Sequence, residues 1–316
     1  MDDRSLALVG LGNALKELGY AFVTVSPETH RRVDARAEAA AHAHARSLRD
    51  VFGWSRPFDA KVVPPQILEL ARAAGVITEE GDTGLLRARV RFSSLRGELF
   101  VHSAYPTVST DAVFFGPDTY RYCDLVAQHL EDAQSKRAKR VVDIGCGSGA
   151  GGIIAAARAD TIVLADVNQE ALRLAAVNAT LAALERRMEI VESDVLGGVI
   201  GPVDLVIANP PYMLDGKART YRDGGGAIGE GLGVRIARES LARLEPGGSL
   251  VLYTGAAIVD GGDTFLTAVR SVCEEADAEW RYWELDPDVF GEEIEQNDAY
   301  AKVERIAAVA LVATRR

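Results

Sequence analysis

"RVVDIGCGSGAGG", residues 140–152, runs from a β-branched apolar stretch into three spaced glycines and then into small helix-forming residues. Val141, Val142 and Ile144 predict a buried strand over 140–144, and the segment from Ala150 predicts a helix over 150–158. Gly145, Gly147 and Gly149 permit a tight turn and the close approach of a ligand to the backbone. Strand, glycine turn and helix in this order form the start of a nucleotide-type site in a parallel sheet. Taken alone, the loop also fits a dinucleotide enzyme or a turn with no ligand.

The same rhythm continues on the C-terminal side. Apolar runs at 161–166, 187–191, 203–208, 248–254, 279–285 and 304–313 are expected strands. Helices are expected at 118–132, 168–182, 228–244 and 262–275. Alternating strands and helices predict an α/β fold, with a seven-stranded sheet and helices on both faces. No helix is expected between the last two strands, so one of them is expected to run antiparallel. The first 106 residues read differently. Segments 4–19 and 28–52 look helical, Pro64 and Pro65 start a helix that Gly75 ends, and 85–104 alternates like a hairpin broken at Ser-Ser-Leu-Arg-Gly. We therefore expect a smaller N-terminal domain of helices and a β-hairpin at 1–106, with a possible role in substrate recognition, and a second domain at 107–316. His42 and His44 lie two apart on the expected 28–52 helix and make a poor metal pair.

Composition bounds the function. The chain has 316 residues, 48% of them hydrophobic and 26% charged, which is ordinary for a globular protein. No apolar run approaches the ~18–20 residues of a membrane span, and the acidic start MDDRSLALVG does not resemble a leader. A cytoplasmic protein with no membrane partner is expected. Cys123, Cys146 and Cys273 are too far apart for a disulfide framework or zinc site. No metal is expected, and Cys146 reads as a packing residue. The net charge of −11 argues against strong non-specific nucleic-acid binding, although a local basic patch remains compatible with it.

Three carboxylates point to a nucleoside that carries an amine rather than a pyrophosphate. Asp143, at the end of the first large strand, would repel phosphate and suit a cationic amine. Asp166, 23 residues later in "TIVLAD" and followed by Val167, can accept from ribose hydroxyls. Asp194 in "ESDVL", followed by Val195, can accept from an adenine amino group. Asp166 can also simply end a strand, and Asp194 can cap a turn. Their order and spacing together fit S-adenosyl-L-methionine.

"VVDIGCGSGAGG", "LADVN", "ESDVL" and "NPPY" together resemble class I S-adenosylmethionine-dependent methyltransferases. The closest likeness is to the methyltransferase small domain and HemK-like N-methyltransferase group, over roughly 107–316. The resemblance implies a Rossmann-like sheet. "FGPDTYRYCDLV" is similar to the "PRPDTE" stretch of glutamine methyltransferases, with Gly116 and Tyr120 in place of Arg and Glu. "YRDGGGAIGEGL" departs from that subgroup.

"VIANPPYML" (206–214) carries the expected chemistry. Pro210 and Pro211 hold the chain extended and remove two N–H donors. The Asn209 side-chain oxygen and the Pro210 carbonyl remain as two acceptors that match the two hydrogens of a planar –NH₂. Tyr212 can stack on the flat group bearing that nitrogen, and its ring face is expected to matter more than its hydroxyl. Hydrogen bonds to both N–H groups would orient the delocalised lone pair toward the methyl donor, so catalysis would consist mostly of alignment and electrostatics. Asn209 also closes the cofactor site in this reading. The expected activity is transfer of a methyl group to a planar amino nitrogen.

Three acceptor readings stay open. The leading one is an exocyclic base amine in rRNA or tRNA, supported by Arg87, Arg89, Arg91 and Arg96 around the hairpin and by Lys217, Arg219 and Arg222 after the motif. The second is a protein glutamine on a partner such as a release factor. The third is a non-catalytic cofactor-binding or scaffold protein, which intact Asn209 and Tyr212 argue against. The acidic segment 284–300 bears on this choice only if it borders the site, and the glycines of 216–233 suggest a lid.

Overall fold

β-Branched runs too short for helices and apolar stripes at helical spacing build one layered α/β structure. In this computed structural model the described residues are 1–39, 43–132, 138–214, 222–226 and 228–316. The elements are, in order, α1 (Asp3–Glu17), α2 (Pro27–Ala39), α3 (Leu48–Phe52), α4 (Pro65–Ala73), β1 (Ile77–Glu79), β2 (Leu86–Ala88), β3 (Val90–Leu95) and β4 (Glu98–Ser103). Then follow α5 (Pro117–Glu131), β5 (Ala138–Ile144), α6 (Ala150–Ala155), β6 (Ala159–Asp166), α7 (Gln169–Leu181), β7 (Met188–Glu192), β8 (Val203–Ala208) and α8 (Gly231–Arg243). The chain closes with β9 (Leu244–Val259), β10 (Gly262–Asp263), α9 (Thr264–Glu275), β11 (Ala278–Asp286), α10 (Gly291–Gln296) and β12 (Arg305–Arg315).

The main sheet has the order β11-β12-β9-β8-β5-β6-β7, with β10 hooked onto β9. Strands β5 to β9 pair in parallel, and β12 lies antiparallel to both of its neighbours. The expected antiparallel strand is therefore the last one. Alternation along β5 divides the core. Val141 packs with Tyr122, Val126 and Ile153 on the α5/α6 face, while Val142 and Ile144 pack with Ile236, Leu241 and Phe265 on the α8/α9 face. The strand order reverses between β5 and β8, which places the ends of β5, β6 and β8 around one crevice.

The N-terminal elements pack onto this sheet through α7. Leu8, Leu11 and Leu15 of α1 share a core with Phe52, Phe58, Phe92 and with Leu174, Val177 and Leu181 of α7. Asn178 ties the two parts together. Its amide donates to the carbonyls of Val101 (3.0 Å) and Ser148 (2.9 Å), and its oxygen accepts from the Val101 N–H (2.8 Å).

Two local expectations change. The single helix expected over 28–52 is split into α2 and α3. Ser47 accepts from the Asp50 N–H and starts a new helix there, which turns Val51 and Phe52 into the core. His42 lies outside the described residues, and His44 is exposed. The hairpin is β3–β4, turning at Arg96 and Gly97, both at positive φ (49° and 86°) as a two-residue turn of matched twist requires. Residues 86–88 pair with β1 instead. Among the described residues no helix is long and apolar enough to cross a membrane.

Candidate active site

The loops after β5, β6 and β8, together with the turn at 193–195 after β7, enclose a cavity of about 340 Å³. Gly145, Gly147, Asp166, Val167, Asp194, Val195, Asn209, Pro210 and Tyr212 all line it. Sequence reasoning also chose Gly149 and Asp143, and neither lies on its wall. Gly149 starts α6 at φ +76°, with Leu164 3.2 Å from where a Cβ would be, so it serves the packing of helix on strand.

The glycine turn is open toward the cavity. Gly145 sits at φ +63°, and an added Cβ there would meet no atom within 4 Å. Gly147 sits at φ +53° and donates its N–H to Asp166 Oδ2 (2.9 Å). Asp166 Oδ1 accepts from the Asn168 N–H (2.9 Å). Burial raises the Asp166 pKa, opposed by the backbone N–H groups of Asn168, Gly147 and Val167. The carboxylate is thus held in place while each oxygen retains acceptor capacity. An open glycine cradle beside a fixed carboxylate, with Val167 and Val195 as apolar walls, fits a hydroxyl-bearing nucleoside.

The other two carboxylates differ from their expected roles. Asp143 is 1% exposed and lies behind the cavity wall. Its oxygens accept from Tyr122 Oη (2.7 Å) and the Gly152 N–H (2.8 Å), so it braces the turn rather than meeting a ligand amine. Burial pushes its pKa up to about 7, against those two hydrogen bonds. Asp194 turns its carboxylate outward, to Arg235 Nη1 (2.8 Å) and Nη2 (2.9 Å) on α8. The expected bond to an adenine amine is not the one its side chain is set to make.

At the end of β8, Asn209 is half-buried in the cavity wall. No hydrogen bond among the described residues engages its side chain. Tyr212 is only 7% exposed. Its hydroxyl donates to Asp118 Oδ2 (2.5 Å), and Tyr253 Oη donates to Asp118 Oδ1 (2.6 Å). The ring presses on the β9 backbone, since a Cβ at Gly255 would lie 2.1 Å from Tyr212 Cδ2. The hydroxyl therefore has a structural partner of its own, beyond the expectation that the ring face matters more. The backbone of 212–213 is wrapped by the following glycines: the Gly224 N–H donates to the Met213 carbonyl (2.8 Å), and a Cβ at Gly229 would lie 2.0 Å from the Tyr212 carbonyl oxygen. Of the lid expected at 216–233, residues 216–221 and 227 lie outside the described residues.

Sequence reasoning missed Asp118, Gly255 and Phe290. The "PDT" of α5 pointed to Asp118 without a role. Phe290 belongs to the acidic segment 284–300 and borders the cavity. It is held at φ +57° with its ring centroid 6.3 Å from that of Tyr212. The acidic segment also lines an adjoining cleft of about 1120 Å³, where Asp288 and Glu295 face the 23–32 stretch.

Three of the four hairpin arginines are engaged within the protein, and Arg89 is exposed. Arg87 pairs with Glu80 (2.6 Å), and Arg96 pairs with Asp124 (3.0 Å) and Glu131 (3.7 Å). Arg91 is 4% exposed, against His30, and burial lowers its pKa to about 10. Lys217 and Arg219 lie outside the described residues.

Residues 107–259 match the methyltransferase small domain. The chain is 34% identical to the release factor glutamine methyltransferase of Deinococcus radiodurans, over 52% of this chain and 62% of that protein. It is 32% identical to the tRNA1(Val) (adenine(37)-N6)-methyltransferase of Aeromonas hydrophila, over 39% of this chain and 54% of that one. The chain thus spans between about half and three-fifths of the length of these relatives. A solved tRNA m1G37 methyltransferase of M. jannaschii shares the fold, with a TM-score of 0.50 and 18% identity over 72% of this chain and 57% of that one. With the motifs, the sheet order and the sequence match in agreement, residues 107–259 belong to the methyltransferase small domain family.

Proposed function

We propose that this protein is an S-adenosylmethionine-dependent N-methyltransferase acting on a planar amino nitrogen. The observation that carries the proposal is the convergence of two acceptors at the end of β8, Asn209 and Pro210, with the glycine turn and Asp166 on one cavity wall. Gly145, Gly147, Asp166 and Val167 would hold the cofactor, with Val195 and the backbone of Asp194 closing its base side. Bound there, the cofactor supplies an electrophilic sulfonium methyl group. The chain's own task is alignment. Asn209 Oδ1 and the Pro210 carbonyl accept the two N–H bonds of the incoming nitrogen, and Tyr212 presents a ring to the group that bears it. Such preorganised alignment supplies up to about 7–11 kcal/mol in favourable cases.

Of the two acceptor polymers, the distribution of charge favours a protein side-chain amide over an RNA base. Of the arginines that the sequence offered to phosphate, Arg87 and Arg96 are paired with carboxylates and Arg91 is buried, while Arg89 is exposed and Arg222 lines the cavity, and an acidic segment borders the mouth of the site. A polyphosphate would meet the carboxylates of Asp288 and Glu295 there, beside Arg31, Arg32 and Arg121. Residues 1–106 supply one wall of the outer cleft, which supports a part for them in acceptor recognition.

Two measurements test this reading. Calorimetry should give tighter binding of S-adenosylhomocysteine than of NAD. Tritiated cofactor, incubated with separated RNA and protein fractions of cells lacking this protein, should label the protein fraction. Preferential NAD binding would overturn the cofactor assignment, and labelled RNA would restore the base reading.

A further inference from the structure

Asp118 sits in the first turn of α5, 5% exposed, and two other parts of the protein meet on it. Tyr212 comes from the Asn-Pro-Pro-Tyr loop and Tyr253 from β9, and each gives its hydroxyl to one carboxylate oxygen. Arg121, one turn along α5, adds a contact to Oδ1 at 3.3 Å and reaches across to Asp286 at the end of β11. A buried carboxylate is costly unless its oxygens accept hydrogen bonds. Neither tyrosine can turn its hydroxyl to water, since Tyr212 and Tyr253 are 7% and 0% exposed.

The Tyr212 ring is therefore held at two points. Its hydroxyl is pinned at Asp118, and one side of the ring is filled by the backbone at Gly255. Gly255 is not on the cavity wall, whereas Tyr212 and Asp118 both are. This geometry fixes the plane that the ring presents to the cavity. It also links that plane to the outer cleft, which Asp118 and Phe290 line as well.

We propose that Asp118 is a positioning residue for methyl transfer, acting through Tyr212 to set the ring that orients the acceptor, and holding no part of the cofactor. This rests on the methyltransferase reading above. Asparagine at 118 keeps the shape but offers one oxygen in place of two, so the two tyrosine hydroxyls no longer both find an acceptor. A displaced ring misaligns the acceptor while leaving the glycine turn and Asp166 as they were.

The test uses the full chain, with the cell fraction that the wild type labels as acceptor. Asp118→Asn should bind S-adenosylhomocysteine within about three-fold of the wild type. Its maximal labelling rate should fall by roughly 10- to 100-fold, the scale of an ångström-level misplacement. Tyr212→Phe should fall in parallel, because it cuts the same bond from the other side. Tyr253→Phe removes a comparable buried hydrogen bond from Asp118 but leaves Tyr212 attached, so its loss should be several-fold smaller. 19F NMR with 3-fluorotyrosine at position 212 should show a shifted or broadened resonance in Asp118→Asn. The proposal is overturned if Asp118→Asn labels at the wild-type rate, if it weakens S-adenosylhomocysteine binding as much as it slows labelling, or if Tyr253→Phe matches it. Should the wild type bind no S-adenosylhomocysteine and label no fraction, the methyltransferase reading falls first, and this proposal with it.

Discussion

The ring of Tyr212 lies against the backbone of Gly255 so closely that a Cβ at 255 would stand 2.1 Å from Cδ2 and 2.3 Å from Cε2. No side chain fits there without moving the ring, because the strand backbone on one side and Asp118 at the hydroxyl leave it no slack. Gly255→Ala should therefore act as an active-site variant although residue 255 is outside the cavity. Overpacking of this kind costs about 1–3 kcal/mol of stability. Turnover should fall more than ten-fold, while S-adenosylhomocysteine affinity stays within a few-fold. Calorimetry and initial rates separate the two effects, and a variant with normal turnover would show that the ring position is unimportant.

The β8 end predicts a different partition. Asn209→Ala removes one of the two acceptors but touches neither the glycine turn nor Asp166. Cofactor affinity should hold within a few-fold while kcat falls by on the order of 100-fold or more, the usual effect of losing one preorganised hydrogen-bonding group. Near-normal turnover would reduce Asn-Pro-Pro-Tyr to a rigid turn.

What the sequence made legible here is what depends on local pattern. The strand–glycine–helix run at 140–152, the alternation of elements and the doubled proline after Ala208 are local signals, and each falls where the pattern puts it. Side-chain direction at the ends of strands is not local. Asp194 turns to Arg235, 41 residues away, and Asp143 to Tyr122, 21 residues away. Nothing near either aspartate in sequence signals those partners. Two of the hairpin arginines are lost to the site for a related reason: both faces of β3 are covered, which buries Arg91, and the neighbours that neutralise Arg96 come from α5. Asp118 was hidden because its role exists only once α5, β9 and the loop after β8 are brought together.

The two cavity aspartates should separate by mutation. Asp166 is mostly buried and held by two backbone N–H groups, so its carboxylate is preorganised for a ligand. Asp166→Ala should weaken S-adenosylhomocysteine by roughly 10- to 100-fold, the range for losing charge-assisted hydrogen bonds. Asp194 is exposed and already paired with Arg235, and exposed pairs contribute little. Asp194→Ala should leave affinity within about three-fold. Equal losses measured by calorimetry would mean that Asp194 leaves Arg235 when the ligand binds.

Asp143 ties the glycine turn to pH. Its pKa stands at about 7 in the folded chain against an ordinary 3.8, so the fold prefers its protonated form. Below pH ~4 the carboxyl is protonated in both folded and unfolded chains and carries no penalty. Between about 4 and 7 the folded chain keeps a proton that the unfolded chain has released, so stability contributed by this group falls as pH rises. Above about 7 the buried carboxylate is charged and the penalty is complete. At about 1.4 kcal/mol per pKa unit, the difference between the two limits is on the order of 4 kcal/mol. Urea midpoints at pH 5 and pH 8 should therefore differ more in the wild type than in Asp143→Asn, which cannot ionise. Tyr122→Phe should widen the difference, because the Tyr122 hydroxyl stabilises the charged form at 2.7 Å. Gly151→Ala should act in the same direction, since its Cβ would fall 2.5 Å from that hydroxyl and push it off the carboxylate. Identical pH dependence in the wild type and Asp143→Asn would mean that the buried carboxyl is already ionised at pH 5. The brace behind the glycine turn would then be a fixed charge rather than a proton-bearing group.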